Sequence, residues 1–191
     1  MLTLDLRSLL TTDASIPEGK VNFVVEDLPT YINTFLTRIT GHSSITLTGP
    51  GPAWLYLAVW HAAHGTIPDG GIHYQAPGVD YSPVAVGVAS GDGSAIVEGQ
   101  IVLDITTLVP TPAPGQRINF ELGSVVEYQA KALALLPAFR PGCSLPEFEV
   151  VLSGPGPIWL YLALAAALHS RGGQVVYSAP NAARVVVIDH K

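Results

Sequence analysis

One stretch occurs twice, and it limits the possible folds more than anything else in the chain. Thr48-Gly49-Pro50-Gly51-Pro52-Ala53-Trp54-Leu55-Tyr56-Leu57-Ala58 runs on to His64, and Ser153-Gly154-Pro155-Gly156-Pro157-Ile158-Trp159-Leu160-Tyr161-Leu162-Ala163 runs on to His169. The glycines and the histidines are each 105 residues apart. A motif returning at a fixed distance marks a duplicated structural unit.

The repeat extends in both directions. Leu2-Thr3-Leu4-Asp5-Leu6 corresponds to Ile101-Val102-Leu103-Asp104-Ile105, and both alternate as half-buried strands do. After turn-rich intervals, second strands are predicted at Val21 to Val25 and Arg117 to Glu121. Helices follow over Leu28 to Ile39 and Val125 to Leu135, the latter with Ser124 and Glu127 as a capping box and the former with Asp27 before Pro29. Ile45 to Thr48 and Phe148 to Leu152 are short strands feeding the Gly-Pro segments. Strands at Ile72 to Gln75 and Val175 to Ser178, Ala-Pro turns, and last strands at Val84 to Ala89 and Arg184 to Ile188 complete the units. The reading is an α/β fold of two tandem β-β-α-β-α-β-β repeats, residues 1–98 and 99–191, forming a pseudo-twofold intramolecular dimer.

Composition narrows the class. Of 191 residues 48% are hydrophobic, enough for a substantial core. No apolar run approaches the roughly 20 residues of a membrane span, and Asp5 and Arg7 interrupt any signal-peptide core. The single cysteine, Cys143, fits a reducing compartment. These features lead to the expectation of a cytoplasmic protein with no membrane partner. The net charge of -6 argues against long nucleic acid, whose binding rests on phosphate neutralisation, but leaves room for a small anion.

The Gly-Pro segments suit such an anion. Gly49, Gly51, Gly154 and Gly156 carry no side chain to block approach, and Pro52 and Pro157 stand at the first helical turn. There the free amides and the helix dipole favour phosphate; Thr48 and Ser153 flank the corner. The alternative is that the prolines only enforce a tight strand-to-helix turn. Neither a Walker loop nor a dinucleotide fingerprint nor a nucleophile elbow is present. Trp54 and Trp159 read as core aromatics or as platforms for a base. His64 and His169 at the helix ends read as dipole partners or as ligand-contacting and catalytic groups. His61, His64, Asp69, His73 and Asp80 form a possible metal set in the first repeat alone. Twelve residues of helix place glycine corner and histidine roughly 18 Å apart. If both serve one ligand, it must be wide or lie between molecules associated head to tail.

These residues resemble the CRISPR-associated ring nucleases of the third family, small accessory proteins of type III CRISPR systems. The likeness is carried by Gly154, Gly156, Pro157, Trp159, Leu160, His169, Val176-Tyr177, Pro180, Val185-Val186-Val187 and His190, and in the first repeat by Gly49 to His64. The resemblance implies a cyclic oligoadenylate ligand, typically the four-membered ring, sandwiched between units stacked head to tail and cut to linear products. It implies His64, His169 and His190 as catalytic candidates, with Arg184 among the ligand contacts. The family's Asp-Pro-Arg turn, associated with manganese-dependent cleavage, is replaced by Ala179-Pro180-Asn181 and Ala76-Pro77-Gly78. Ser178, Asp189 and Arg184, or Asp80 in the first repeat, are the candidates to substitute for the missing acid and guanidinium. Two further readings stay open: a degenerate binding module without cleavage, and an adaptor without a nucleotide ligand.

Overall fold

A computed structural model of the chain describes residues 1–10, 21–68, 70–83, 99–136, 148–169, 173–178 and 184–189. It divides into two compact units, Met1–Val84 and Ala85–Lys191. The repeat boundary expected near residue 98 and the strand expected over 84–89 fall at or beyond the edge of the described residues.

Unit one contains β1 (Leu2–Asp5), α1 (Leu28–Ile39), β2 (Ile45–Thr48), α2 (Ala53–His64), β3 (Ile72–Ala76) and β4 (Val79–Tyr81). The sheet order is β1-β2-β3-β4, with β1, β2 and β3 parallel and β4 antiparallel to β3. Unit two repeats the plan with β5 (Gly99–Asp104), α3 (Val125–Ala134), β6 (Phe148–Ser153), α4 (Ile158–Leu168), β7 (Gln174–Ser178) and β8 (Arg184–Asp189). The protein is thus a mixed α/β molecule built twice from one four-stranded, two-helix pattern.

Parallel neighbours need crossovers, and helices supply them. Both crossovers of a unit step the same way across the sheet, so the right-handed rule places both helices on one face. There α1 packs on α2 and α3 on α4. Leu4, Ile45, Leu47, Ile72 and Tyr74 line the helix-facing side of sheet one and are buried. The second helix of each unit is apolar on every side because every side is covered: Trp54 to Trp60 and Trp159 to Leu168 are all buried.

Two expectations fail for one reason. Residues 21–24 and 117–121 pair with no strand among the described residues; each runs instead into a short 3-10 turn, Val25–Asp27 or Leu122–Ser124. That turn leaves the residue before each helix near helical geometry, Asp27 at ψ 2° and Ser124 at ψ 11°, so neither side chain bonds back to the first-turn amides. The capping box predicted at Ser124 and Glu127 does not form, because a capping side chain needs an extended backbone at that residue.

Candidate site at the Gly-Pro corners

In open α/β sheets ligands meet the carboxyl ends of the parallel strands, and the Gly-Pro corners lie there. Register aligns Asp5 with Thr48 in unit one, and Asp104, Ser153, Ser178 and Arg184 in unit two. Each first strand therefore ends in an acid beside the corner that leaves the second.

Gly49 has φ +90° and Gly154 φ +95°, a region in which a side chain is strained. Space forbids one as well: a methyl on Gly49 would land on the Asp5 carboxylate, and one on Gly154 on the Asp104 carboxylate. Further along, a methyl on Gly51 would stand 3.1 Å from Leu6 Cδ1, and one on Gly156 would meet Ile105 Cδ1. The corners are open on their outer side. Pro50, Pro155 and Gly156 are exposed, and Thr48, Gly49, Gly51, Ser153 and Gly154 are half-buried. In unit one Pro50, Gly51 and Pro52 form one wall of a cleft of about 230 Å³, with Val21, Asn22 and Phe23 opposite.

Tyrosines lock the turns. The Tyr56 hydroxyl donates to the Gly49 carbonyl and the Tyr161 hydroxyl to that of Gly154. Each ring meets a second tyrosine edge to face: Tyr56 meets Tyr74, and Tyr161 meets Tyr177, both at 5.1 Å. Burial, followed by the charge of the neighbouring tyrosine and acid, pushes both hydroxyls above the usual tyrosine range, so they remain donors. The acids are engaged too. Asp5 accepts from the Arg7 amide at 2.9 Å, from Arg7 Nε at 3.1 Å and from Nη2 at 2.7 Å. Asp104 Oδ1 accepts from the Thr106 amide at 2.9 Å and its hydroxyl at 2.7 Å.

The other predicted site residues are distributed as follows. Trp54 and Trp159 are each 5% exposed, and Trp159 lies 6.4 Å from Tyr128 ring to ring. A buried ring has no face for a base, so the platform reading gives way to the core reading. His64 ends α2, half-buried and stacked on Trp60 at 5.8 Å, while His169 follows α4 and is half-buried as well. Each stands at the far end of its helix from its own corner, and the two are not brought together within a unit. Arg184 pairs with Glu149, which also accepts from Gln100 Nε2 at 2.6 Å. His190 and the turn over 179–183 lie outside the described residues.

The donor set at the corners does not fit manganese. Asp5 is held by a guanidinium, and Asp104 Oδ1 already accepts two hydrogen bonds from Thr106. Among the described residues no three His, Cys, Asp or Glu side chains gather as a metal site; Asp69 of the set His61, His64, Asp69, His73 and Asp80 lies outside them. Among the described residues no helix is long and apolar enough to cross a membrane.

Sequence reading passed over three features of the corner. The acid stands in both aligned strands, the tyrosine in both copies of the long motif, and an Asn-Phe pair at 22–23 recurs at 119–120. Repetition was the available signal in each case.

Residues 122–191 match the model of a family described as CRISPR-associated protein (Cas_csx3). No curated protein and no solved structure gives a significant match. The matched segment spans α3 to β8 and includes the second Gly-Pro corner, and over that segment the chain is similar to CRISPR-associated proteins.

Proposed function

We propose that the chain binds a cyclic oligoadenylate, the four-membered ring first, at its Gly-Pro corners and opens it to linear products, ending a type III CRISPR signal. The observation that carries this reading is the duplicated corner, open at its outer side with glycine at alternate positions, at the carboxyl end of the parallel strands of each sheet. Two like half-sites suit a ring with internal symmetry. The match to a CRISPR-associated family over residues 122–191 supports the CRISPR setting of this reading.

Opening the ring requires little beyond positioning and proton transfer. A ribose 2'-oxygen attacks the adjacent phosphorus, the 5'-oxygen leaves, and a 2',3'-cyclic phosphate forms. One histidine takes the 2'-hydroxyl proton and another protonates the departing oxygen. His64 and His169 are assigned these roles on a neighbouring molecule stacked head to tail, because 12 residues of α2 separate His64 from its own corner by roughly 18 Å. His190 is the third candidate. This route draws nothing from manganese, which the corner donors do not fit.

The engaged acids and the missing Asp-Pro-Arg turn favour a second reading, a binding module that retains the ring uncut. One assay separates the two. Stoichiometric protein is mixed with labelled cyclic tetra-adenylate in EDTA and in manganese. Linear product with a cyclic phosphate end in both conditions supports the proposal. Intact, retained ring supports the binding module, and absence of binding to rings of three to six units overturns both.

A further inference from the structure

We infer that Asn22 and Asn119 read the adenine bases of the ring held at the corners; this rests on the nucleotide reading above. The two asparagines occupy equivalent places in units whose surrounding loops otherwise differ. Residues 21–23 read Val-Asn-Phe and 118–120 read Ile-Asn-Phe, whereas the stretches before them, Thr11 to Lys20 and Pro110 to Arg117, share little.

Local structure explains why the asparagine and not its neighbour faces outward. Val24 and Glu121, at the ends of the two segments, are extended, a conformation in which neighbouring side chains point to opposite sides. Phe23 turns inward onto Tyr31, edge to face at 5.6 Å, and Phe120 onto Tyr128 at 6.1 Å. The tyrosine hydroxyls complete the anchor by accepting the amides of Val24 at 3.3 Å and Glu121 at 3.1 Å. Asn22 and Asn119 are left exposed, and among the described residues neither side-chain amide forms a hydrogen bond. A turn-forming asparagine would bond to nearby backbone; among the described residues these do not, although both copies retain them.

Each also borders room for a ligand. Asn22 lines the 230 Å³ cleft that the Gly-Pro corner closes. Asn119 lines a cleft of about 520 Å³ together with Gln116, Arg117, Glu121, Glu127 and Lys131, a cleft that the second corner does not itself line; the ring of the adjoining Phe120 reaches that corner, 3.5 Å from where a methyl on Gly156 would be. A carboxamide presents one donor and one acceptor side by side, which pairs with adenine's 6-amino group and the ring nitrogen next to it. The corner holds phosphate through backbone and carries no base information; the asparagines supply it.

The test compares cyclic tetra-adenylate with the same ring built from purine riboside, which lacks only the 6-amino groups. Binding to the full-length protein is measured by calorimetry for wild type and for Asn22→Ala/Asn119→Ala, with thermal melting to verify folding. Wild type is expected to prefer the adenine ring by about tenfold or more, and the double variant to bind both rings alike. Wild type binding both rings equally, or a double variant retaining the full preference, overturns the inference while leaving ligand binding intact. If wild type binds neither ring, the nucleotide reading itself fails and takes the base contacts with it.

Discussion

The two units build the same corner with different charges around it. In both, an acid at the end of the first strand fills the space beside a left-handed glycine, a tyrosine hydroxyl holds that glycine's carbonyl, and a hydroxyl three residues on bonds the acid's own carbonyl. Ser8 Oγ does so to Asp5 and Thr107 Oγ1 to Asp104, each at 2.7 Å. What changes is the partner of the acid: Arg7 in unit one, Thr106 in unit two. At the opposite end of the carboxyl-end row the difference reverses, with Asp80 on β4 and Arg184 on β8. The shared parts therefore define the turn, and the divergent parts change the charge around it.

The shared parts predict the largest effects, and they should be equal in the two units. Gly49→Ala and Gly154→Ala each force a side chain into the left-handed region, at roughly 1–2 kcal/mol, and each drives a methyl onto a carboxylate. The expected loss is at least about 2 kcal/mol in urea unfolding for either variant. Adding Asp5→Ala to Gly49→Ala should recover part of it by vacating the space and leave the backbone penalty. If one glycine tolerates alanine and the other does not, the corners are not equivalent and the duplicated-site reading loses its basis.

A smaller, again equal, effect is expected from the tyrosine locks. Tyr56→Phe and Tyr161→Phe keep the edge-to-face contact with Tyr74 and Tyr177 and remove only the bond to the glycine carbonyl. Each should cost about 1 kcal/mol. Tyr81, pushed up to about 12 by burial, lies away from the corner and serves as control; Tyr81→Phe should not alter ligand binding, whereas the corner variants should weaken it. Equal binding in all three would detach the tyrosines from the site.

How much of this was legible beforehand follows from which residues carry periodic information. The long helices, the parallel strands and the duplication were readable because burial imposes a pattern: Leu4, Leu47 and Tyr74 must face helices, and α2 must be covered on all sides. The segments at 21–24 and 117–121 deceived because Phe23 and Phe120 give a strand-like alternation; their rings pack on a helix tyrosine instead of on a neighbouring strand. The corner glycines were readable from type and spacing. The Asp5 and Asp104 carboxylates beside them were not, since contact between residue 5 and residue 49 depends on β1 lying next to β2 in register, a property no local window contains. For Trp54 the residue type allowed a base platform, and only its burial decided against it.

The smallest expected effect tests the part that differs. The Arg7 side chain's hydrogen bonds hold the Asp5 carboxyl below the usual carboxylate range, against the opposing pull of burial. A carboxyl whose pKa is lower folded than unfolded contributes stability above its unfolded value, about 3.9, and loses it as pH falls through the folded value. Arg7→Thr transplants the unit-two arrangement into unit one. At pH 7 the variant should be slightly less stable than wild type, by less than the tyrosine locks contribute, because a partly exposed pair is screened by water and salt. The difference should vanish once the pH is below the folded value and Asp5 is protonated in both proteins, and it should narrow in 1 M salt. Urea midpoints at neutral and acid pH check this. A gap that persists when Asp5 is protonated would mean that Arg7 acts through the packing of its stem over the corner, and that the two units differ in shape as well as in charge.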